Sequence, residues 1–135
     1  MKKIEERTIL IDTDVIQADG GTRCASINSA MLSLYQLLKY LVYENLIADF
    51  PDVLFIAGVS IGVKDNTILV DLNYQEDADA DSDINIVSSE KGEIIEIEGF
   101  VEQKPLSPDM LKKIIDIGIE KNFEIIKILK NSLGK

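Results

Sequence analysis

The chain has 135 residues, a mass of 15.0 kDa and a formal net charge of −10, from 14 basic and 24 acidic side chains. Hydrophobic residues make up 46% of it, as in a globular chain that is long enough to bury one core. It contains no histidine, which excludes Ser-His-Asp, Cys-His and His-ligated metal chemistry. Taken alone, the acidic balance argues against a nucleic-acid surface, because phosphate contacts need Lys and Arg.

Cysteine content and hydropathy indicate the compartment. Cys24 is the one cysteine, so it cannot form an internal disulfide, and a reducing compartment is favoured. With no histidine to activate it, Cys24 is expected to be a small buried residue. Residues 1–7 lack the apolar core of a signal peptide, and charged residues interrupt the apolar stretch 30–47. We therefore expect a soluble cytoplasmic protein.

The first part of the chain is predicted to form a strand, a helix and a second strand. β-Branched residues from Thr8 to Ile16 predict the first strand. The triplet Asp19-Gly20-Gly21 breaks it, and Thr22 is then placed to cap a helix that runs to about Ile47. The run from Val53 to Val63 is apolar throughout, as expected of a strand buried on both faces.

The remainder is predicted to form two hairpins and a long helix. Lys64-Asp65-Asn66 is the turn of the first hairpin, and Lys91-Gly92 is the turn between strands 84–89 and 93–101. Isoleucines and glutamates alternate in the last strand, which predicts that its glutamate face meets solvent. Ser107-Pro108-Asp109 begins the helix. The order β-α-β-β-β-β-α predicts an α+β two-layer sandwich, with a mixed sheet and two long helices on one face.

The segment from Gln17 to Arg23 has the features of an anion site. The pair Gly20-Gly21 allows a sharp turn, and the helix start that follows presents free N–H groups. Arg23 adds a planar guanidinium that fits phosphate oxygens. The alternative is a tight turn between strand and helix, with Thr22 as a cap and Arg23 in a surface ion pair.

A run of acidic residues lies between Glu76 and Asp83. A calcium loop is excluded, because Ser82 and Ser88 occupy the positions that need Gly and Glu. Asp77 and Asp83 can share a site only if the chain between them coils. They would then raise one another's pKa or bind a divalent cation such as Mg²⁺. The alternative is a solvated acidic loop.

In their order and spacing, the two candidate sites resemble ribonuclease PH, a family of phosphorolytic exoribonucleases. The resemblance is carried by residues 11–23, with Asp19-Gly20-Gly21-Thr22-Arg23, and by Val59–Val63, Asp71–Asp77 and Asp83–Val87. It extends into the C-terminal helix and corresponds to the second half of a ribonuclease PH domain. Residues 1–135 are therefore expected to form a single partial domain.

The resemblance implies a phosphate-dependent 3′→5′ exoribonuclease that trims tRNA 3′ ends, releases nucleoside diphosphates and adds nucleotides in reverse. It implies that Gly21, Thr22 and Arg23 hold the attacking phosphate. It also implies that Asp77 and Asp83 are the catalytic aspartates and can hold Mg²⁺. The implied co-substrate is inorganic phosphate, and the implied substrates are the 3′ ends of RNA.

The resemblance further implies a homo-oligomeric ring, or a partner that supplies the first half. In the family, that half carries a further phosphate-binding arginine and the basic loop that guides RNA. The charge of −10 is then that of an incomplete enzyme and does not argue against RNA. The alternative is a non-catalytic ring subunit or an inactive remnant that acts as a binding or assembly module.

Overall fold

A four-stranded sheet forms the centre of the fold in the computed structural model, which describes Ile4 and residues 7–134. The elements are α1 (Thr22–Tyr43), β1 (Ile56–Lys64), β2 (Thr67–Val70), α2 (Tyr74–Asp79), β3 (Ser82–Ser89), β4 (Ile94–Val101) and α3 (Pro108–Ser132). The sheet order is β2-β1-β3-β4, and each neighbouring pair is antiparallel. The predicted α+β class is confirmed. The predicted mixed sheet is wrong, because these pairings include no parallel one.

The predicted strand from Thr8 to Ile16 is not part of the sheet. The segment has no regular secondary structure, and Leu10 is 91% exposed while Ile16 is 98% exposed. A strand needs a hydrogen-bonded neighbour, and the sheet of the described residues does not include this segment. The β-branched sequence is present, but the described part of the chain supplies no strand to pair with it.

The two predicted hairpins are confirmed. Asp65 and Asn66 have φ values of 46° and 63°, which suit the two-residue turn between β1 and β2. β3 and β4 form the second hairpin around Lys91-Gly92, and β1 is buried along its length, as predicted. β4 differs from the prediction, because its isoleucine face is also exposed. Ile95 is 52% exposed and Ile97 is 42% exposed, since β4 is an edge strand of the sheet.

Helix α3 covers one face of the sheet. A Cβ atom at Gly118 would lie 2.8 Å from Cδ1 of Ile86, so the helix packs directly on β3. Ser107 is the N-cap, as predicted, because its side chain accepts a hydrogen bond from the Met110 N–H. This face holds the core cluster of β1, β3 and α3, which includes Ile114.

The prediction that both long helices lie on one face of the sheet holds for only part of α1. Its buried residues Met31 and Tyr35 join a core cluster with Phe55 and the end of α3. Its first turn lies on the opposite face. This is shown by Cys24, whose Sγ lies 3.4 Å from the position that a Cβ atom on Gly58 would take. Side chains alternate along a strand, so Gly58 faces away from the core positions on either side of it.

The ends of α1 also differ from the prediction. Gly21 is the N-cap, with a φ of 68°, and Thr22 is the first helical residue and makes no side-chain cap. The glycine takes the cap position because this left-handed conformation costs it little. The helix ends at Tyr43 instead of near Ile47, because Asn45 adopts a φ of 55°, which ends a helix.

Of the two expectations from hydropathy, the one on membrane spans can be compared with the structure. Within the described residues, no helix has the length and apolar character needed to cross a membrane. The predicted lack of a signal peptide concerns residues 1–7, most of which lie outside the described residues.

The side chain of Asn28 attaches α1 to the open edge of β1. Its Nδ2 donates to the Gly58 carbonyl at 2.9 Å, and the Gly58 N–H donates to its Oδ1 at 2.9 Å. β2 pairs with β1 only from Ile61 to Lys64, so no strand of the described residues covers Gly58 on that side. The amide side chain therefore replaces a strand at this position.

Replacing Asn28 with Ala should lower the free energy of unfolding by about 1–3 kcal/mol, because two partly buried backbone groups lose their partner. Asn28→Asp keeps an acceptor for the Gly58 N–H but loses the donor to the Gly58 carbonyl, and it should also destabilise the chain. Urea denaturation measures both effects. The control is Ser29→Ala, on the exposed side of α1, and an equal loss in that variant would contradict the prediction.

Candidate functional site

The first turn of α1 lies over the sheet face that is opposite α3. The strand register pairs Asn85 with Glu98 and Val87 with Glu96, so these four side chains share that face. The thiol of Cys24 donates to Oδ1 of Asn85 at 3.0 Å. This contact, together with the close packing on β1, fixes the start of α1 above β3 and β4.

Arg23 is held by two glutamates of β4. Its Nη2 lies 2.7 Å from Oε1 of Glu96, and its Nε lies 2.7 Å from Oε2 of Glu98. The surface ion pair left open by the sequence is therefore present. Sequence reasoning missed both glutamates as partners. Their alternation in β4 was a signal that they share a face, but only the sheet register places them below Arg23.

Close packing shapes the turn before α1. A Cβ atom on Gly20 would lie 1.9 Å from the carbonyl oxygen of Leu72, so the turn rests directly on the chain that leaves β2. Gly21 follows in the left-handed conformation, and Thr22 lines a groove of about 470 Å³ with Ser26. A helix start leaves its first N–H groups without intrahelical acceptors, which suits an anion.

Residues Tyr74–Asp79 of the acidic segment form helix α2 and not a loop, although none of them is buried, as the solvated alternative expected. Asn73 accepts a hydrogen bond from the Glu76 N–H, and Glu76 accepts one from the Asn73 N–H, both at 3.0 Å. This capping box is visible in the sequence as Asn and Glu three positions apart, and it was the signal for a helix. The coil brings Asp77 close enough to Asp83 for their charges to interact.

Asp83 is the second residue of β3 and is partly buried. Burial raises the pKa of its carboxyl group, and the charges of Asp77 and Glu102 raise it further. Its Oδ1 atom is buried and has no hydrogen-bond partner among the described residues. A carboxyl group in this environment keeps its proton to a higher pH and can donate it.

The structure brings the two candidate sites onto one side of the sheet. Asp83 shares a face with Asn85, and residues two apart in a strand are separated by about 7 Å. Cys24 lies between the sites. Burial first, and then the charge of Asp83, raises the pKa of its thiol to about 12, so it is the buried residue that was predicted. The roles of Gly21, Thr22, Arg23, Asp77 and Asp83 remain predictions from the resemblance.

Within the described residues, no group of three or more His, Cys, Asp or Glu side chains is arranged to hold a metal ion. Asp77 and Asp83 are a pair, and Mg²⁺ commonly binds to one or two carboxylates while keeping waters and substrate phosphates as its other ligands. The buried and unpartnered Oδ1 of Asp83 fits such a ligand.

Asp83→Asn should stabilise the chain at neutral pH. The folded-state pKa of Asp83 is raised, so its ionised form opposes folding above that pKa, and the penalty is relieved as the pH falls towards the ordinary value of 3.8. The gain in the free energy of unfolding should therefore be largest at neutral pH and disappear below that value. Urea titrations across this pH range measure it. Asp79→Asn, an exposed change of the same charge, is the control, and a gain that does not depend on pH would contradict the prediction.

Comparison with known proteins gives consistent matches. Residues 55–121 match the family described as "3' exoribonuclease family, domain 2". Ribonuclease PH from Neisseria gonorrhoeae is 44% identical over 134 residues, which is 99% of this chain and 55% of the relative. Ribonuclease PH from Neisseria meningitidis gives the same identity and coverage. The chain therefore spans about half the length of these curated relatives.

Solved structures share the fold. Rice (Oryza sativa) Rrp46 has a TM-score of 0.67 at 18% identity, covering 89% of this chain and 51% of that one. The Archaeoglobus fulgidus exosome with RNA bound to the active site has a TM-score of 0.63 at 18% identity, covering 83% of this chain and 44% of that one. At these identities the likeness concerns the fold. The sequence matches confirm the resemblance: over 99% of its length the chain is similar to the C-terminal half of ribonuclease PH, and residues 55–121 match the 3′ exoribonuclease family.

Proposed function

We propose that this chain is the catalytic half of a phosphate-dependent 3′→5′ exoribonuclease that trims the 3′ ends of tRNA precursors. The observation that carries the proposal is the meeting of the turn before Arg23 with the Asp77–Asp83 pair on one side of the sheet. The similarity to ribonuclease PH supports the same reaction. Because the chain covers 55% of those relatives, the activity is proposed for the chain together with the remaining part of the relatives' length.

Inorganic phosphate would bind at the start of α1. The turn through Gly21 leaves the first N–H groups of the helix available, and Thr22 lies in that first turn. The guanidinium of Arg23 would supply positive charge and a planar set of donors. Phosphoryl transfer depends mainly on positioned anions and neutralised charge, which is the work of this part of the site.

Asp83 would donate the proton that the reaction needs. A phosphate oxygen forms a bond to the terminal phosphorus as the bond from that phosphorus to the 3′ oxygen breaks. The released 3′ oxygen takes a proton, and the product is a nucleoside diphosphate. The raised pKa of Asp83 keeps that proton available, and Asp77 supports it because its negative charge raises the pKa further.

In the alternative role, Asp83 is ionised and would hold Mg²⁺ together with Asp77, in place of donating a proton. The pair fits this ion because one or two carboxylates, with water and substrate phosphates, form its usual ligand set. When bound, the ion would neutralise the negative charge that surrounds the reacting phosphoryl group. The residues of the chain then position the ion and the 3′ end of the RNA relative to the phosphate at α1.

The partner would be either a polypeptide that supplies the first half or further copies in a ring. The segment around Leu10 and Ile16 is exposed and pairs with no strand of the sheet that the structure describes, and α1 exposes Tyr40 and Tyr43. An added strand and a packed face would cover these residues. Two solved structures that share the fold are an archaeal exosome core and the Archaeoglobus fulgidus exosome with RNA bound to the active site, and the second supports RNA as the substrate.

The alternative is a non-catalytic ring subunit or an inactive remnant that acts as a binding or assembly module. One observation favours it. Arg23 is already engaged by Glu96 and Glu98, so two carboxylates compete with any phosphate. The two functions differ in whether phosphate is consumed.

The first test is phosphorolysis with the first half of a ribonuclease PH relative supplied in trans. A tRNA precursor with extra 3′ nucleotides should release nucleoside diphosphates only when phosphate is present. Asp83→Ala should reduce the rate by about a hundredfold or more, because the leaving oxygen loses its proton donor. The isolated chain should be weak or inactive. Asp79→Ala is the control, and no turnover with both halves present would favour the assembly module.

A second test concerns the competition for Arg23. In the double variant Glu96→Gln and Glu98→Gln, the affinity for phosphate should rise by about threefold to tenfold, because two exposed ion pairs no longer hold the guanidinium. Thermal unfolding in phosphate and in chloride at equal ionic strength measures this as a phosphate-dependent increase in Tm. Glu44→Gln with Glu120→Gln changes the net charge equally at distant positions. An equal increase in this control would show that net charge, and not Arg23, is responsible.

A further inference from the structure

Helix α2 carries Asp77 but cannot hold its own position. It has six residues, and none of them is buried. An isolated helix of this length is not stable in water, because the cost of its first turn is not recovered. The position of Asp77 relative to Asp83 therefore depends on contacts that α2 makes with its surroundings.

The contacts of α2 lie at its ends. At its C-terminal end, Nζ of Lys64 donates to the carbonyl of Asp79. At its N-terminal end, the N–H of Tyr74, the first helical residue, donates to Oδ1 of Asp19 at 2.6 Å. The same oxygen accepts the N–H of Gly20 at 2.9 Å. A single carboxylate oxygen therefore joins α2 to the turn that begins α1.

Three further contacts show that α2 and the turn before α1 are closely packed at this junction. Gly20 leaves no room for a side chain, since a Cβ atom there would lie 2.8 Å from the carbonyl carbon of Asn73. Below it, the Leu72 N–H donates to Oγ of Ser60 at 3.3 Å, and Oγ of Ser60 lies 3.0 Å from where a Cβ of Gly21 would stand. The turn and the entry to α2 thus share one packed layer on β1.

We infer that Asp19 is a positioning residue that holds Asp77 beside Asp83 by tying the first residue of α2 to the turn before α1. The inference rests on the proposed function in that the aspartate pair is the reacting part of the site. It extends that function, because one side chain then sets the distance between the phosphate-binding turn and the acidic pair.

Amide hydrogen exchange measured by NMR on the 135-residue chain tests the tie directly. The reporter is the Asp77 N–H, which bonds to the Asn73 carbonyl at 2.9 Å. Asp19→Ala should speed its exchange by about fivefold, since α2 loses one hydrogen bond. Asp19→Asn keeps an oxygen acceptor and should stay within about twofold of the parent chain.

Two controls make the exchange result decisive. The amide of Ile61 in β1 reports global opening and should not change, whereas a merely structural effect would speed both amides. Asp116→Ala removes the same charge from α3 and should leave the Asp77 amide unchanged. Unaltered exchange in Asp19→Ala would overturn the inference, and so would equal acceleration in Asp19→Asn, because the hydrogen bond would not be the cause.

The functional arm uses the chain combined with the first half of a relative. Asp19→Ala should lower kcat by about tenfold while KM for phosphate stays within about twofold, and Asp19→Asn should restore kcat. An unchanged kcat in Asp19→Ala would overturn the positioning role. If the parent combination shows no turnover, the proposed function fails, while the exchange experiment still decides whether Asp19 holds α2.

Discussion

The pair of hydrogen bonds between Asn28 and Gly58 determines where α1 can lie. β2 is too short to cover the first part of β1, and buried backbone groups without partners are costly. An amide side chain satisfies both the N–H and the carbonyl of one residue, so α1 crosses the open strand edge at a fixed point. Its first turn then lies on the sheet face away from α3, where Cys24 meets Asn85. The positions of Thr22 and Arg23 follow from this crossing.

The electrostatics of the candidate site also follow from that placement. Arg23 forms ion pairs with Glu96 and Glu98, while the charges of Asp77 and Glu102 raise the pKa of Asp83. In the proposed reaction, this site would supply acidic groups and little net positive charge. Binding of an anion there needs further cations, from Mg²⁺ or from a partner chain. The net charge of −10 therefore describes a surface that a cationic partner would complement, and it is compatible with the proposed reaction.

Local signals predicted most of the fold. The apolar run of β1, the hairpin turns and the cap at Ser107 each depend on neighbouring residues, and each was predicted to within a few positions. The predicted strand from Thr8 to Ile16 does not form in the structure, because a strand needs a hydrogen-bonded neighbouring strand from another part of the chain. Helix α2 was missed although Asn73 and Glu76 form its capping box. Residue features singled out the segment from Gln17 to Arg23 and the acidic run, and the family resemblance assigned roles to their residues, whereas the contacts of Glu96 and Asp19 span distances in sequence that no local pattern reveals.

One extra residue in β4 shows why the alternation of isoleucine and glutamate in that strand could not predict which residues surround Arg23. Ser88 pairs with Ile94 but Val87 pairs with Glu96, so Ile95 is a bulge. Without it, regular pairing from the turn would place each glutamate opposite an isoleucine of β3, on the apolar face that α3 covers. The bulge shifts the register by one and turns both glutamates towards α1. The ion pairs that compete for Arg23 thus depend on a single inserted residue, and the same shift leaves Ile95 exposed at the sheet edge.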